Sequence, residues 1–281
     1  MISSSTQSRF KTMVSRAEGD LNLAEAALLI ASAEYPGLEV SPYLFQLDRI
    51  ADAIQQRVPS DSSYVNIVHA MNEYLFEQQG FSGNLEDYSD PRNSYLNEVL
   101  DRKRGIPITL SVIYMEIGWR LGIPLEGVSF PGHFLVKFPY AGGEVVLDPF
   151  FKGISLSAEV LERRIHNLLG GDVPAQDFLP HLLVPATKKE TLVRMLRNLK
   201  AIYVRQEDFG RALWCTDLIL IVIPDTAAEI RDRGELFAQM ECYRAAVADY
   251  TRYLELEPEA EDAAVLRTRL IELLPLVSRL N

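Results

Sequence analysis

Cysteine is scarce in this chain, histidine nearly so, and it has neither a basic stripe nor a long apolar run. Each shortage excludes something. The two cysteines, Cys215 and Cys242, stand in unrelated surroundings. They are too few for a disulfide framework or a cysteine-rich zinc site and read as two buried thiols in a reducing, cytoplasmic compartment. The formal net charge is −11, and no stripe of Lys and Arg offers the clustered positive charge that phosphate backbones require, so nucleic acid is not an expected partner. The strongest apolar run, Leu218–Ile223, is far too short to span a bilayer. The polar start Met1–Met13 carries no segment of the signal-peptide kind, so no membrane partner is expected. His, Asp and Glu do not recur at ligand spacing, and neither a metal nor another cofactor is expected. What remains is the composition of an ordinary globular protein, with 281 residues to build one large domain or two.

Residues 1–86 read as an N-terminal helical region packed on the core. Leu21, Leu23, Ala24, Ala27, Leu28 and Ala31 follow Asp20 at helical spacing and stop before Pro36 and Gly37. A second helix is expected over Pro42–Arg57, and a third from about Ser62 to Gln79, ended by Gly80. His69 on the third reads as an ordinary, partly buried histidine. Residues 87–187 read as the core. Asn93 or Ser94 can cap a helix that closes on Arg102, Lys103 and Arg104, with Gly105 as its left-handed stop. The next helix begins near Pro107, a residue well tolerated in a first turn. Its stripe of Leu110, Ile113, Tyr114, Ile117 and Leu121 predicts a central, buried helix, broken by Gly122 and Pro124.

Strand signals follow. Val128–Phe138 and Glu144–Phe150 flank a turn cluster, Pro139–Gly143, and predict a half-buried β-hairpin. Pairing Phe138 with Gly143 around a four-residue loop sets Phe134 opposite Leu147 and Val136 opposite Val145 on an apolar face. The other face then pairs Lys137 with Glu144, Leu135 with Val146 and His133 with Asp148. A slip of one residue would mix the faces. The alternation alone therefore brings an imidazole beside a carboxylate, the arrangement in which the carboxylate orients a general base. Such a pair is also common as a purely structural contact. The nearest hydroxyls are Thr109 and Ser111, whose ordinary work in a helix is capping or back-bonding.

Residues 188–281 read as a repeat. Tyr203, Ala212, Leu220 and Pro224 return 34 residues later as Phe237, Ala246, Leu254 and Pro258. That period and those residue types are the tetratricopeptide signature, two antiparallel helices per unit. A last helix near Ala260–Leu274 is expected to cap the array, because repeat units need neighbours to bury their faces.

Three strings, Asn93–Asn97, Arg104–Thr109 and Phe130–Phe134, occur in order ahead of the repeats. With the helical start, this layout closely resembles the SirB-type transglutaminase-like proteins of bacteria, over most of the chain. The resemblance implies a helix-rich α+β fold: a papain-like core, a central helix against a small antiparallel sheet, followed by all-α tetratricopeptide repeats. It also implies the positions of a Cys–His–Asp triad. The superfamily places its cysteine at the start of the central helix, where Pro107 stands, while His133 and Asp148 match the other two members. Asn97, Pro107 and His133 are then the candidate binding residues of a remnant cleft. The expected function is a non-catalytic scaffold or regulatory adaptor that takes a protein or peptide partner through its repeats. The competing expectation is a hydrolase or acyl-transfer enzyme that uses His133 and Asp148 with Thr109, Ser111 or a water.

Overall fold

The computed structural model describes residues 4–169 and 175–279. The chain divides into two compact units, one of Arg16–Met195 and one of Met1–Ser15 with Leu196–Asn281. The first helix, α1 (Ser4–Val14), thus groups with the repeat helices and not with the rest of the N-terminal region.

In the unit Arg16–Met195, α2 (Leu23–Glu34) starts at Asn22, whose side chain accepts from the Glu25 N–H and caps the helix. Helix α3 (Val40–Gln55) buries Leu47, Ile50, Ala51 and Ile54. Helix α4 (Tyr64–Asn72) is capped by the Ser63 hydroxyl and leaves His69 exposed, not partly buried. The expected single helix to Gln79 changes character on the way. Glu73–Gln78 form one wide π turn, and Gly80, at φ 75°, ends it. At the changeover the Asn72 amide turns inward. Its Nδ2 donates to the Gly153 carbonyl at 3.0 Å, and its Oδ1 accepts from the Tyr114 hydroxyl at 2.8 Å.

Helix α5 (Leu96–Arg102) corrects the expected capping twice. Its cap residue is Tyr95, while Asn93 closes a short 3-10 turn, Pro91–Asn93, that Asp90 caps. At the other end Lys103 itself takes the left-handed position, at φ 61°. Gly105 is thereby freed to continue into β2 (Arg104–Gly105), which pairs in parallel with β1 (Ser82–Gly83). A side chain at Gly105 would press on Thr109 Oγ1 and Val99, so the glycine is required by close packing.

Asp90 is the polar hinge of this segment. Burial would raise its pKa, but hydrogen bonds from Arg92, with the charges of Arg92 and Arg102, hold it below the ordinary carboxylate value of 3.8. A lowered folded pKa means stability that is present above 3.8 and lost as pH falls through the folded value. Asp90→Asn is therefore expected to cost about 1–3 kcal/mol at neutral pH. In a series of urea melts, the gap to the wild type should be level above that value and should shrink as the pH is taken below it. A gap that does not change down to pH ~2 would mean that charge is not what holds this segment.

Helix α6 (Pro107–Arg120) is buried on all sides from Pro107 to Gly118, the mark of a helix at the centre of its domain. Helices α2, α3 and α5 pack on it, and so does the sheet. Its one buried acid, Glu116, accepts the Ala24 N–H at 2.8 Å and pairs with Arg120, tying α2 to α6.

The sheet has five antiparallel strands in the order β6-β5-β4-β3-β7: β3 (Glu126–Val128), β4 (Leu135–Tyr140), β5 (Gly143–Asp148), β6 (Ile154–Leu156) and β7 (Pro185–Ala186). The expected strand Val128–Phe138 is thus two strands, β3 and β4, joined by a turn. The hairpin register also differs from expectation. Tyr140 pairs with Gly143 and Val136 with Leu147, around a two-residue loop. Ala141 and Gly142 both take positive φ, 49° and 81°, the primed-turn geometry whose twist suits a tight hairpin. The displacement is two residues, so every side chain keeps its expected face. Nor is the hairpin half-buried. Leu135 and Val146 pack with Leu161 and Ile165 of α7 (Ala158–Leu169), and Leu179 and Leu182 of α8 (Ala175–Leu182) close that cluster. Lys137 is buried as well, and is neutralised by Glu144 at 2.6 Å.

Helix α9 (Lys188–Arg205) belongs to the first unit as far as Met195 and to the second from Leu196. In the second unit α10 (Phe209–Val222), α11 (Ala227–Gln239), α12 (Tyr243–Leu256) and α13 (Ala263–Arg279) each pack on the next. Gly234 lies against the Tyr250 ring, where an added Cβ would come within 2.8 Å. Glu207 and Glu241, one period apart, both take left-handed φ in the turn between their helices, so the repeat extends to the backbone. Cys215 is buried in α10, but Cys242 is exposed at the start of α12, against the expectation of two buried thiols. Among the described residues, no helix is long and apolar enough to cross a membrane.

Candidate functional site

The sequence Phe130-Pro131-Gly132-His133 makes a tight turn between β3 and β4. The His133 N–H donates to the Phe130 carbonyl at 3.0 Å, proline fills the second position, and Gly132, at φ 67°, fills the third. This is the residue pattern of a type II turn. It delivers His133 to the start of β4. Asp148 is the last residue of β5 and caps the 3-10 turn Pro149–Phe151, accepting the Phe151 N–H at 3.4 Å.

The two side chains meet. His133 Nε2 lies 2.8 Å from Asp148 Oδ1. They are not opposite in the ladder, since His133 precedes β4 and the strand pairing stops at Val136–Leu147. The contact comes instead from the turn swinging His133 across the shared face. Asp148 is fully buried, and its Oδ2 accepts from Arg164 Nη1 at 2.9 Å. The carboxylate is thus shared between a histidine and an arginine of α7. A carboxylate oxygen accepts, so the bond is one in which the Nε2–H of His133 donates to Asp148. His133 is also held by rings: it stacks on Phe151 at 6.1 Å and meets the edge of Phe150 at 5.8 Å. Arg164 lies over the same Phe151 ring at 5.9 Å.

A second arginine holds the turn. Arg194 of α9 donates to the Ser129 hydroxyl at 2.6 Å, to the Phe130 carbonyl at 3.1 Å and to the His133 carbonyl at 2.7 Å. Burial pulls its guanidinium below the ordinary arginine value, with the nearby Tyr88 phenol opposing.

The other candidates make no hydrogen bond to this pair. Thr109 is completely buried; its Oγ1 accepts the Ile106 N–H at 3.1 Å and donates to the Asn93 carbonyl at 2.7 Å. Ser111 is equally buried and donates to the Phe134 carbonyl at 3.4 Å. Neither hydroxyl bonds to His133. Pro107 is the buried first residue of α6. Asn97 is buried in α5, and its Oδ1, the Ser94 hydroxyl and Arg102 Nη1 have no hydrogen-bond partner among the described residues. Among the described residues, no three His, Cys, Asp or Glu side chains gather where they could hold a metal ion.

Sequence reasoning missed Arg164 and Arg194. Each stands on an amphipathic helix far along the chain, and nothing local separates Arg164 from its neighbour Arg163. Periodicity says only that such residues face away from the core. The arrangement supplies an oriented imidazole ring, a buried carboxylate and two guanidinium groups, while Thr109 and Ser111 are bonded to backbone carbonyls.

The profile described as Transglutaminase-like superfamily matches residues 41–197, and that described as Tetratricopeptide repeat matches residues 199–271. A UPF0162 protein of Xylella fastidiosa (strain 9a5c) is 43% identical over 253 residues, covering 90% of each chain. A UPF0162 protein of Vibrio cholerae is 32% identical, covering 89% of this chain and 91% of its own. Protein SirB1 of Salmonella typhimurium is 26% identical over 80% of this chain and 82% of its own. No solved structure matches. The chain belongs to the transglutaminase-like superfamily, as a UPF0162 protein of the SirB type with C-terminal tetratricopeptide repeats.

Proposed function

We propose that this protein is a non-catalytic scaffold or regulatory adaptor of the cytoplasm, with its transglutaminase-like domain acting as a pseudoenzyme. One observation carries the reading. Pro107 opens α6, where the superfamily keeps its cysteine, and the two hydroxyls nearest in sequence are buried and committed to backbone carbonyls. Proline has nothing that can attack a carbonyl, and a nucleophile must be free to reach both its base and its substrate. Asp148 divides its charge between His133 and Arg164, which suits a fixed support for the turn and α7. The repeats supply the complementary half of the reading, since stacked helical pairs present extended surfaces to protein partners.

The test is quantitative affinity capture from native lysate with wild type and His133→Ala, both shown to be folded, and intact masses of what is recovered. The reading expects the same proteins, in the same proportion and with the same masses, from both. A partner whose mass is altered by the wild type alone would sink it.

A further inference from the structure

We infer that the surface around His133 recognises an acidic peptide segment, with Arg194 as the group that anchors its carboxylate. This rests on the non-catalytic reading above and gives that site a ligand class. A guanidinium has five N–H donors. Arg194 spends three on Ser129 and on the carbonyls of Phe130 and His133, and none on a carboxylate among the described residues. Its neighbour Arg164, by contrast, is paired with Asp148 at 2.9 Å. A partly buried cation without an acid is costly to hold, and a carboxylate brought to its remaining donors would repay that cost with a charge-assisted bond.

The surroundings add an apolar half to the same site. Tyr88 lies in the field of Arg194 and against Phe150, with ring centroids 6.3 Å apart. Phe150 in turn meets Phe151 and the His133 ring. Tyr88 and Phe151 are 49% and 43% exposed, so the two end members of this aromatic chain stand open to solvent. Charge complementarity selects the occupant. Asp148, the carboxylate that His133 and Arg164 share, is fully buried and already paired, so it leaves Arg194 without an acid among the described residues. A chain of net charge −11 repels acidic peptides in general, so binding of one at physiological salt requires a local site of this kind.

The experiment uses the full chain and two probes, acetyl-Phe-Glu-amide and acetyl-Phe-Gln-amide. Each is titrated while the Arg194 Nε–H and His133 ring resonances are followed by NMR. The expected result is a saturable shift of both groups with the glutamate peptide and affinity weaker by roughly tenfold or more for the glutamine peptide. Arg194→Gln should erase that difference, and Arg194→Lys should restore part of it. Equal binding of the two peptides, or no shift at either group with the glutamate peptide up to concentrations on the order of 10 mM, overturns the proposal. The comparison of probes on the wild type decides the matter even if Arg194→Gln fails to fold. Peptide masses are read at the end of each titration. A glutamine peptide converted to its acid would count against the non-catalytic reading, while the affinities would still report on Arg194.

Discussion

Asp148→Ala is expected to be among the most damaging single changes in the unit Arg16–Met195. Its carboxylate is fully buried, meets His133 and Arg164 at 2.8 and 2.9 Å, and caps the turn that carries Phe150 and Phe151. Removing one member of a buried charged cluster leaves the others unpaired, at a cost of about 3–5 kcal/mol. Arg164 keeps 27% of its side chain in solvent, so the lower end of that range is expected. Trp119 lies in this unit and Trp214 in the other, so a Trp214→Phe background lets Trp119 fluorescence follow the core alone. His133→Ala should cost distinctly less, because it leaves the Asp148–Arg164 pair intact. Equal losses for the two variants would show that the histidine, and not the carboxylate, organises the cluster.

Gly153→Ala is the second large effect. Gly153 sits at φ 69°, where an L side chain is strained, and its N–H closes the turn onto the Asp148 carbonyl at 2.8 Å. A Cβ there would overlap the Asn72 side-chain amide, which is bonded to the Tyr114 hydroxyl and to Gly153 itself. The backbone strain costs about 1 kcal/mol or more, and the displaced amide strands a phenol that is buried among apolar groups, for about 1–3 kcal/mol besides. Tyr114 has its pKa pushed far up by burial alone, so it has no ionised form to fall back on. Urea melts of Gly153→Ala and of Asn72→Ala should show overlapping, non-additive losses, because both break one network. Additive losses would show that the glycine acts through backbone strain alone.

Part of this was legible beforehand. The central helix from Pro107 and the 34-residue repeat follow from patterns that a single segment carries, stripe and period. The meeting of His133 with Asp148 was foreseen for a reason only half right. Alternation fixed the shared face, while the register was set by Ala141 and Gly142, whose positive φ makes a two-residue loop. Because the error was two residues, the face survived. What stayed hidden depends on tertiary packing. Arg164 and Arg194 reach the site from helices whose local sequence gives no sign of it. The π turn at Glu73–Gln78 begins where Asn72 turns inward to residues far along the chain. Lys103 takes a left-handed position that composition would give to a glycine, because Gly105 is needed for close packing against Thr109 and Val99.

The central claim is that the His133–Asp148 pair has no nucleophile to serve. The direct measurement is the intact mass of the full chain after incubation with an activated acyl ester, for wild type and His133→Ala, with peptide mapping of Thr109 and Ser111. The account predicts no acyl adduct at either hydroxyl and the same slow background hydrolysis with both proteins. An acyl-enzyme on Thr109 or Ser111 that forms in the wild type and disappears in His133→Ala would contradict it and make this protein an enzyme.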